Sequence, residues 1–239
     1  KTENKLYAIK TIAKGQLKQK ELEMIKTEIE ILKFSRHKNI VKLYENFEDM
    51  DNIYLVLEHL TGGNLNFFLC KQQNLLSEER IKEIVLQIGN VISYLHNFGI
   101  IHRDLKPENC MMTERGSNAQ LKIIDFGLSK ILGVNENSKE AYGTLSYAAP
   151  EVITRTDYNN KIDIWSIGII LYFLICGYLP FSDKNNNFTK IANDITNGKV
   201  KYDEKIWEKI SWEGFDLVEK CLERDVKKRL DINGFLKHP

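Results

Sequence analysis

Nine consecutive residues, Ile101-His102-Arg103-Asp104-Leu105-Lys106-Pro107-Glu108-Asn109, put a carboxylate, an ammonium and an amide into one short stretch. A positioned carboxylate can orient a hydroxyl and take its proton. An ammonium can hold an anionic group, and carboxylate or amide oxygens suit a hard cation. Gly99, at the end of a helical pattern, and Pro107, inside the stretch, make it a loop and not a helix face. Sixteen residues after Asn109 stands Asp125-Phe126-Gly127, preceded by the short apolar strand Leu121-Lys122-Ile123-Ile124. Taken singly, Asp104 reads as a loop-capping aspartate and Lys106 as a solvated lysine. That reading leaves their joint arrangement without a reason.

Together the two stretches resemble the catalytic loop and metal-binding triplet of the eukaryotic protein kinases. The resemblance implies transfer of the γ-phosphate of ATP to a hydroxyl, a reaction carried by positioning and charge neutralisation. On it, Asp104 orients the acceptor hydroxyl and accepts its proton, and Lys106 holds the γ-phosphate. Asn109 and Asp125 bind Mg²⁺, an ion that takes a few side-chain oxygens and fills its octahedron with phosphate oxygens and water.

The elements that must position these groups follow from periodicity. Leu6 to Ile12 reads as a strand on which Ala8 and Lys10 share a face. A small residue beside a lysine suits an adenine lid with a phosphate ligand next to it, and the stretch resembles the kinase Val-Ala-Ile-Lys strand, with Tyr7 in place of Val. Lys18 to Phe34 reads as a helix with the apolar stripe Leu22, Ile25, Ile29 and Leu32. Glu28, on the edge of that face, matches the helix glutamate that pairs with the strand lysine in active kinases. After a turn at Arg36 to Asn39, strands are expected at Ile40–Tyr44 and Ile53–Glu58. The connector His59-Leu60-Thr61-Gly62-Gly63-Asn64-Leu65 then resembles the kinase hinge. The resemblance makes Leu57 the gate of the back pocket, Glu58 and Leu60 the backbone partners of adenine, and Met111 its floor. Asn64 falls near the ribose, and Glu108 remains as an acidic contact for a basic substrate. Leu57 and Met111 read equally well as core.

Ser77-Glu78-Glu79 is a good helix start, and the apolar stripe Ile81, Ile84, Val85, Ile88, Val91, Ile92 and Leu95 runs to the stop at Asn97-Phe98-Gly99. His96 and His102 read as structural. Leu128 to Tyr147, closing on Ala149-Pro150-Glu151, matches the family's activation segment. Within it, Glu140 takes the place where many kinases carry a phosphorylated residue, and it is expected to pair with Arg103. The alternative is a solvated loop glutamate. Ser138 and Tyr142 are candidate modification sites. Ile162 to Cys176 reads as a buried helix, too short to span a bilayer. Its Asp163 matches the aspartate that braces the catalytic loop, and Arg229 matches the arginine that pairs with Glu151. Ile206 to Pro239 reads as amphipathic helices.

Composition sets the outer bounds. The chain has 239 residues, 43% hydrophobic and 28% charged, with a net charge of +1. That balance gives no global reason to expect nucleic acid or a membrane as partner. Four scattered cysteines, with no Cys-x-x-Cys or Cys/His cluster, argue against zinc and for a reducing, cytoplasmic compartment. No signal peptide is evident. The polar tract Lys184 to Asn187 reads as a loop.

The kinase resemblance implies an α+β, bilobal fold. Residues 1–58 form a small antiparallel-sheet lobe, 59–64 a hinge and 65–239 a larger helical lobe. Lys106-Pro107-Glu108-Asn109 indicates serine/threonine acceptors on protein substrates. The polar insert Thr113 to Gln120, Leu128-Ser129, Glu140 and the Trp207 to Val218 pattern resemble the calcium/calmodulin-dependent group, most of all the calcium-dependent kinases of plants and protozoa. That implies a regulatory calcium-binding segment or calmodulin-like partner outside this chain. Two features depart from the pattern. Only nine residues precede Lys10 and none is glycine, so the family's phosphate-covering glycine loop and the first strands are absent. Asn64 stands where relatives selective for basic substrates often place a glutamate, so weakened basic selectivity is expected. A pseudokinase or scaffold is the alternative function; it would be expected to lose Lys10, Asp104, Asn109 or Asp125, and none is lost.

Overall fold

The computed structural model describes residues 5–70, 76–116, 118–132, 138–140 and 142–239. Strands β1 (Tyr7–Ala13), β2 (Leu43–Glu48) and β3 (Asn52–Glu58) form an antiparallel sheet in the order β1-β3-β2. Along β1, Ala8, Lys10 and Ile12 are half-buried while Tyr7, Ile9 and Thr11 face solvent, the alternation of a strand with one covered face. Helix α1 (Gln19–Phe34) covers that sheet, with Ile25 packed against Ile53 and Leu55. Glu21 closes its first turn by accepting from the Lys18 amide at 2.7 Å.

The helical part begins with α2 (Leu65–Cys70) and α3 (Glu78–Asn97). The Ser77 hydroxyl accepts from the Arg80 amide and caps α3, whose apolar stripe is buried along its length. Two short antiparallel ribbons follow. One pairs β4 (Ile100–Ile101) with β7 (Lys130–Ile131), the other β5 (Cys110–Met112) with β6 (Leu121–Ile123). They bracket residues 102–109, because β4 ends just before the stretch and β5 begins just after it. Helices α4 (Pro150–Ile153), α5 (Lys161–Cys176), α6 (Phe188–Asn197), α7 (Glu204–Trp207), α8 (Trp212–Cys221) and α9 (Ile232–Leu236) complete the chain. Helix α5 is buried almost all round and ends at Gly177, whose φ of 77° supplies the left-handed cap. One hydrophobic core runs from Ile31 and Leu32 of α1 through α3 and α5 to Phe235 of α9. Among the described residues no helix is long and apolar enough to cross a membrane. The fold is α+β, a small antiparallel sheet joined to a mainly helical part.

The strand expected at Ile40–Tyr44 lies further on, at Leu43–Glu48. Ile40 and Val41 are buried in the main core, and both pair with Ile123 of β6 instead of the sheet. The apolar residues thus join the sheet to the helical part, and sheet pairing passes to the half-exposed residues beyond them. Of the expected activation segment, residues 133–137 and 141 lie outside the described residues, as does position 117 of the polar insert.

Candidate active site

Asp163 fixes the frame of the catalytic stretch. It is fully buried on α5, and its carboxylate accepts from the His102 amide at 3.0 Å and the Arg103 amide at 3.0 Å. His96 Nε2 lies 2.9 Å from Asp163 Oδ2, and because an ionised carboxylate only accepts, that nitrogen carries the hydrogen. Burial alone would raise the Asp163 pKa, but the hydrogen bond from His96 leads a set of interactions that holds it below the usual range. Arg103 takes a φ of 67°, uncommon for a residue with a Cβ. A Cβ on Gly143, whose own φ is 104°, would lie 2.6 Å from the Arg103 carbonyl oxygen, so glycine is required where the two loops touch.

Asp104 follows directly. Its Oδ2 receives Lys106 Nζ at 2.7 Å and Asn109 Nδ2 at 3.1 Å. Its Oδ1 receives the amide of Thr144 at 3.1 Å and the Thr144 hydroxyl at 3.0 Å. Lys106 Nζ also donates to the Thr144 hydroxyl at 2.8 Å. Asn109 Nδ2 donates to the Asp104 carbonyl at 2.8 Å, which leaves the amide oxygen of Asn109 as the group a cation would take. Asp125 is 41% exposed, whereas its neighbour Phe126 is buried with its ring 5.4 Å from that of His102. The buried ring anchors the triplet and turns the carboxylate outward. Asp125 Oδ1 accepts from the Gly127 amide at 2.9 Å. One amide and one carboxylate oxygen fit an ion that keeps several phosphate or water ligands. Among the described residues no group of three or more His, Cys, Asp or Glu side chains is set to hold a metal by protein alone.

Lys10 Nζ meets Glu28 Oε1 at 2.7 Å and lies 4.0 Å from Asp125 Oδ1. Glu28 sits deeper than the helix edge its spacing suggested, at 2% exposure. Burial pushes its pKa up, and the ammonium of Lys10 offsets only part of that. The register of β1 on β3 sets Ala8 opposite Leu57 and Lys10 opposite Leu55, so these pairs share one sheet face. The Glu58 carboxylate is held by Lys122 at 2.9 Å and by the Lys42 amide at 3.2 Å, and its own backbone amide donates to the Lys42 carbonyl at 2.9 Å. The connector lies close against β5, since a Cβ on Gly62 would fall 2.6 Å from the Cβ of Met112. Leu60 lies in that connector, and Met111 forms a backbone bridge with Asn64.

Asn64 has a task its sequence position did not reveal. Its Oδ1 accepts from the Phe67 amide at 2.9 Å and caps α2. Glu108 Oε1 accepts from Asn66 Nδ2 at 2.8 Å.

Glu140 gathers three cations. Arg103 Nη1 lies 3.1 Å away, as expected, and Lys20 of α1 and Lys130 of β7 lie at 3.1 Å and 3.2 Å. These bonds, that from Lys20 first, lower its pKa to about 2. Sequence reading missed Lys20, Lys130 and Thr144. Lys20 stands among other lysines on a solvated helix face, and Thr144 carried no signal beyond following Gly143.

A family model described as protein kinase domain matches residues 1–239. Myosin light chain kinase A of Dictyostelium discoideum is 40% identical over 233 residues, covering 98% of this chain and 78% of its own length. Calcium-dependent protein kinase 5 of Plasmodium berghei is 40% identical over 231 residues, 97% of this chain and 40% of its own. Calcium/calmodulin-dependent protein kinase type 1 of Macrobrachium nipponense is 37% identical over 239 residues, 99% of this chain and 67% of its own. The chain thus spans well under half of the Plasmodium relative and larger shares of the other two. By this match and these relatives, the chain belongs to the protein kinase domain family, among the calcium/calmodulin-dependent kinases.

Proposed function

We propose that this chain transfers the γ-phosphate of ATP to serine and threonine hydroxyls of protein substrates. The observation that carries the reading is the Asp104 carboxylate, held by Lys106, Asn109 and Thr144 beside residues able to bind a metal and phosphate. Asp104 orients the acceptor hydroxyl and takes its proton on a carboxylate oxygen. Lys106 and Lys10 hold phosphate oxygens, and Glu28 keeps Lys10 in place. Asn109 and Asp125 would hold Mg²⁺, which when bound neutralises phosphate charge as the bond loosens. Ala8, Leu57 and Met111 enclose the adenine, the backbones of Glu58 and Leu60 pair with it, and Asn64 and Glu108 border the ribose and substrate. In this reading residues 1–58 are the small lobe, 59–64 the hinge and 65–239 the large lobe.

With Asn64 uncharged and its oxygen committed to α2, Glu108 remains as one acidic contact for a basic substrate, so selectivity for arginine is weakened. The names of the relatives support a calcium-binding regulatory segment or calmodulin-like partner outside this chain. Unpaired cysteines, three of the four buried, support a reducing, cytoplasmic setting. No feature favours a binding-only pseudokinase.

The test is a peptide library with Ser, Thr or Tyr acceptors, run with labelled ATP and Mg²⁺. Transfer to Ser and Thr peptides with little dependence on an arginine three residues before the acceptor is expected. Strong dependence on that arginine would contradict the selectivity argument. Metal-dependent binding of a fluorescent ATP analogue that survives Asp125→Ala would contradict the metal assignment.

A further inference from the structure

A cavity of about 840 Å³ lies away from the catalytic residues, between the turn after α1 and strand β2. Lys33, Arg36, Lys38, Lys42 and Lys122 line it, against Glu45 and Glu58. Lys122 and Glu58 neutralise each other at 2.9 Å, and Lys122 Nζ also holds the Lys38 carbonyl at 2.8 Å. Four cations and one carboxylate remain, a local excess in a chain whose net charge is +1. Lys33, Arg36, Lys38 and Lys42 are all exposed. Arg36 is set in place, its Nη1 donating to the carbonyls of Lys33 at 2.8 Å and Ser35 at 3.1 Å.

The second observation is the strand. β2 is an edge of the sheet, and four consecutive residues, Leu43 to Asn46, line the cavity. The pairing of β2 with β3 shifts register between Leu43 and Glu45, so the strand bulges at Tyr44 and the cavity follows that irregular stretch of the edge strand. An open edge offers backbone donors and acceptors to an added strand. A continuous phosphodiester would meet Glu45, and only one aromatic residue, Tyr44, borders the cavity beside His37. Both points favour a peptide over a nucleic acid.

We propose that this cavity is a docking site for an extended acidic peptide segment of a partner protein. Its backbone pairs with the free edge of β2, and its carboxylates meet Lys33, Arg36, Lys38 and Lys42.

The probe is a fluorescein-labelled decapeptide of alternating Asp and Leu, titrated into the intact protein by anisotropy. The expected result is saturable binding that weakens about tenfold in Lys38→Glu/Lys42→Glu and weakens as salt is raised. Neither residue belongs to the catalytic group, so phosphotransfer by the double variant serves as its folding control. The same peptide with alternate backbone nitrogens methylated, added to the unaltered protein, should bind far more weakly. NMR titration of His37 should show its pKa rising when the peptide is bound, since Lys38 and Lys122 add to burial in lowering it. Absence of saturable binding would overturn the proposal. So would equal binding by a folded double variant, or equal binding of the methylated peptide. Tighter binding of a ten-nucleotide oligothymidylate, lost in the same double variant, would replace the peptide by nucleic acid.

Discussion

Thr144 holds both the carboxylate of Asp104 and the ammonium of Lys106, although it carries no charge itself. Its hydroxyl donates to Asp104 and accepts from Lys106, so it fixes the carboxylate orientation and spaces the ammonium from it. Thr144→Val keeps the shape and the backbone amide but removes that hydroxyl. A hydrogen bond to a charged group is worth about 1.5–3 kcal/mol, so kcat should fall by about ten- to a hundredfold. Thr144→Ser should retain most of the rate, and the KM for ATP should change little in either. Steady-state kinetics with one peptide checks this; a valine variant at full kcat would contradict it. Asp104, Asn109 and Asp125 were legible because their chemistry lies close together in sequence. Strand alternation and a helix stripe placed Lys10 and Glu28 on their elements, but their pairing was expected only because the stretch resembles the kinase strand and helix. Thr144 was not, because its partners reach it from 38 and 40 residues away and its side chain has no charge to betray it. Asn64 was misjudged in emphasis, since a helix cap depends on where α2 begins and that helix had no clear periodicity.

Glu140 joins elements. Through it α1, β7 and the catalytic stretch share one carboxylate, so the helix that carries Glu28 is tied to the activation segment. The carboxylate pKa is lowered from 4.5 to about 2. The unfolded chain therefore binds more protons at this group than the folded one between those values. The contribution is full above pH 4.5 and is lost as pH falls toward about 2. Glu140→Gln should remove this dependence and flatten the acid limb of a stability curve in that window. Solvent screening of a partly exposed group keeps the effect modest. Denaturation midpoints measured from pH 5 to pH 2 check it, and parallel curves for the two proteins would contradict it. Sequence reading found the Arg103 partner because a resemblance pointed to it. It could not find Lys20, since the register between a helix face and a distant loop is set only by packing. The displaced β2 has the same origin: an apolar run marks burial, but not which neighbour does the burying.

At the scale of the whole molecule, Arg229 and Glu151 tie the last helices to the end of the activation segment. They form a two-pronged pair at 2.6 Å and 3.0 Å, with the arginine side chain at 0% exposure and the glutamate at 6%. The guanidinium also lies 5.2 Å from the Trp165 ring centre on α5. Arg229→Ala would strand a buried carboxylate, a loss of about 3–5 kcal/mol. Arg229→Met with Glu151→Leu should cost less than the single change, because no charge is left unpaired. Urea unfolding of the three proteins checks the order; a single variant as stable as the double would contradict it. In the function proposed above, the frame held by this pair and by Asp163 presents the Asp104 carboxylate to the acceptor hydroxyl. The most direct test is therefore Asp104→Asn, assayed for transfer of labelled phosphate from ATP to a serine peptide alongside equilibrium ATP binding. Loss of the proton acceptor should lower kcat by about 10²–10⁴ while ATP affinity stays nearly unchanged. Transfer at the unaltered rate would contradict the assignment of Asp104 as the catalytic base.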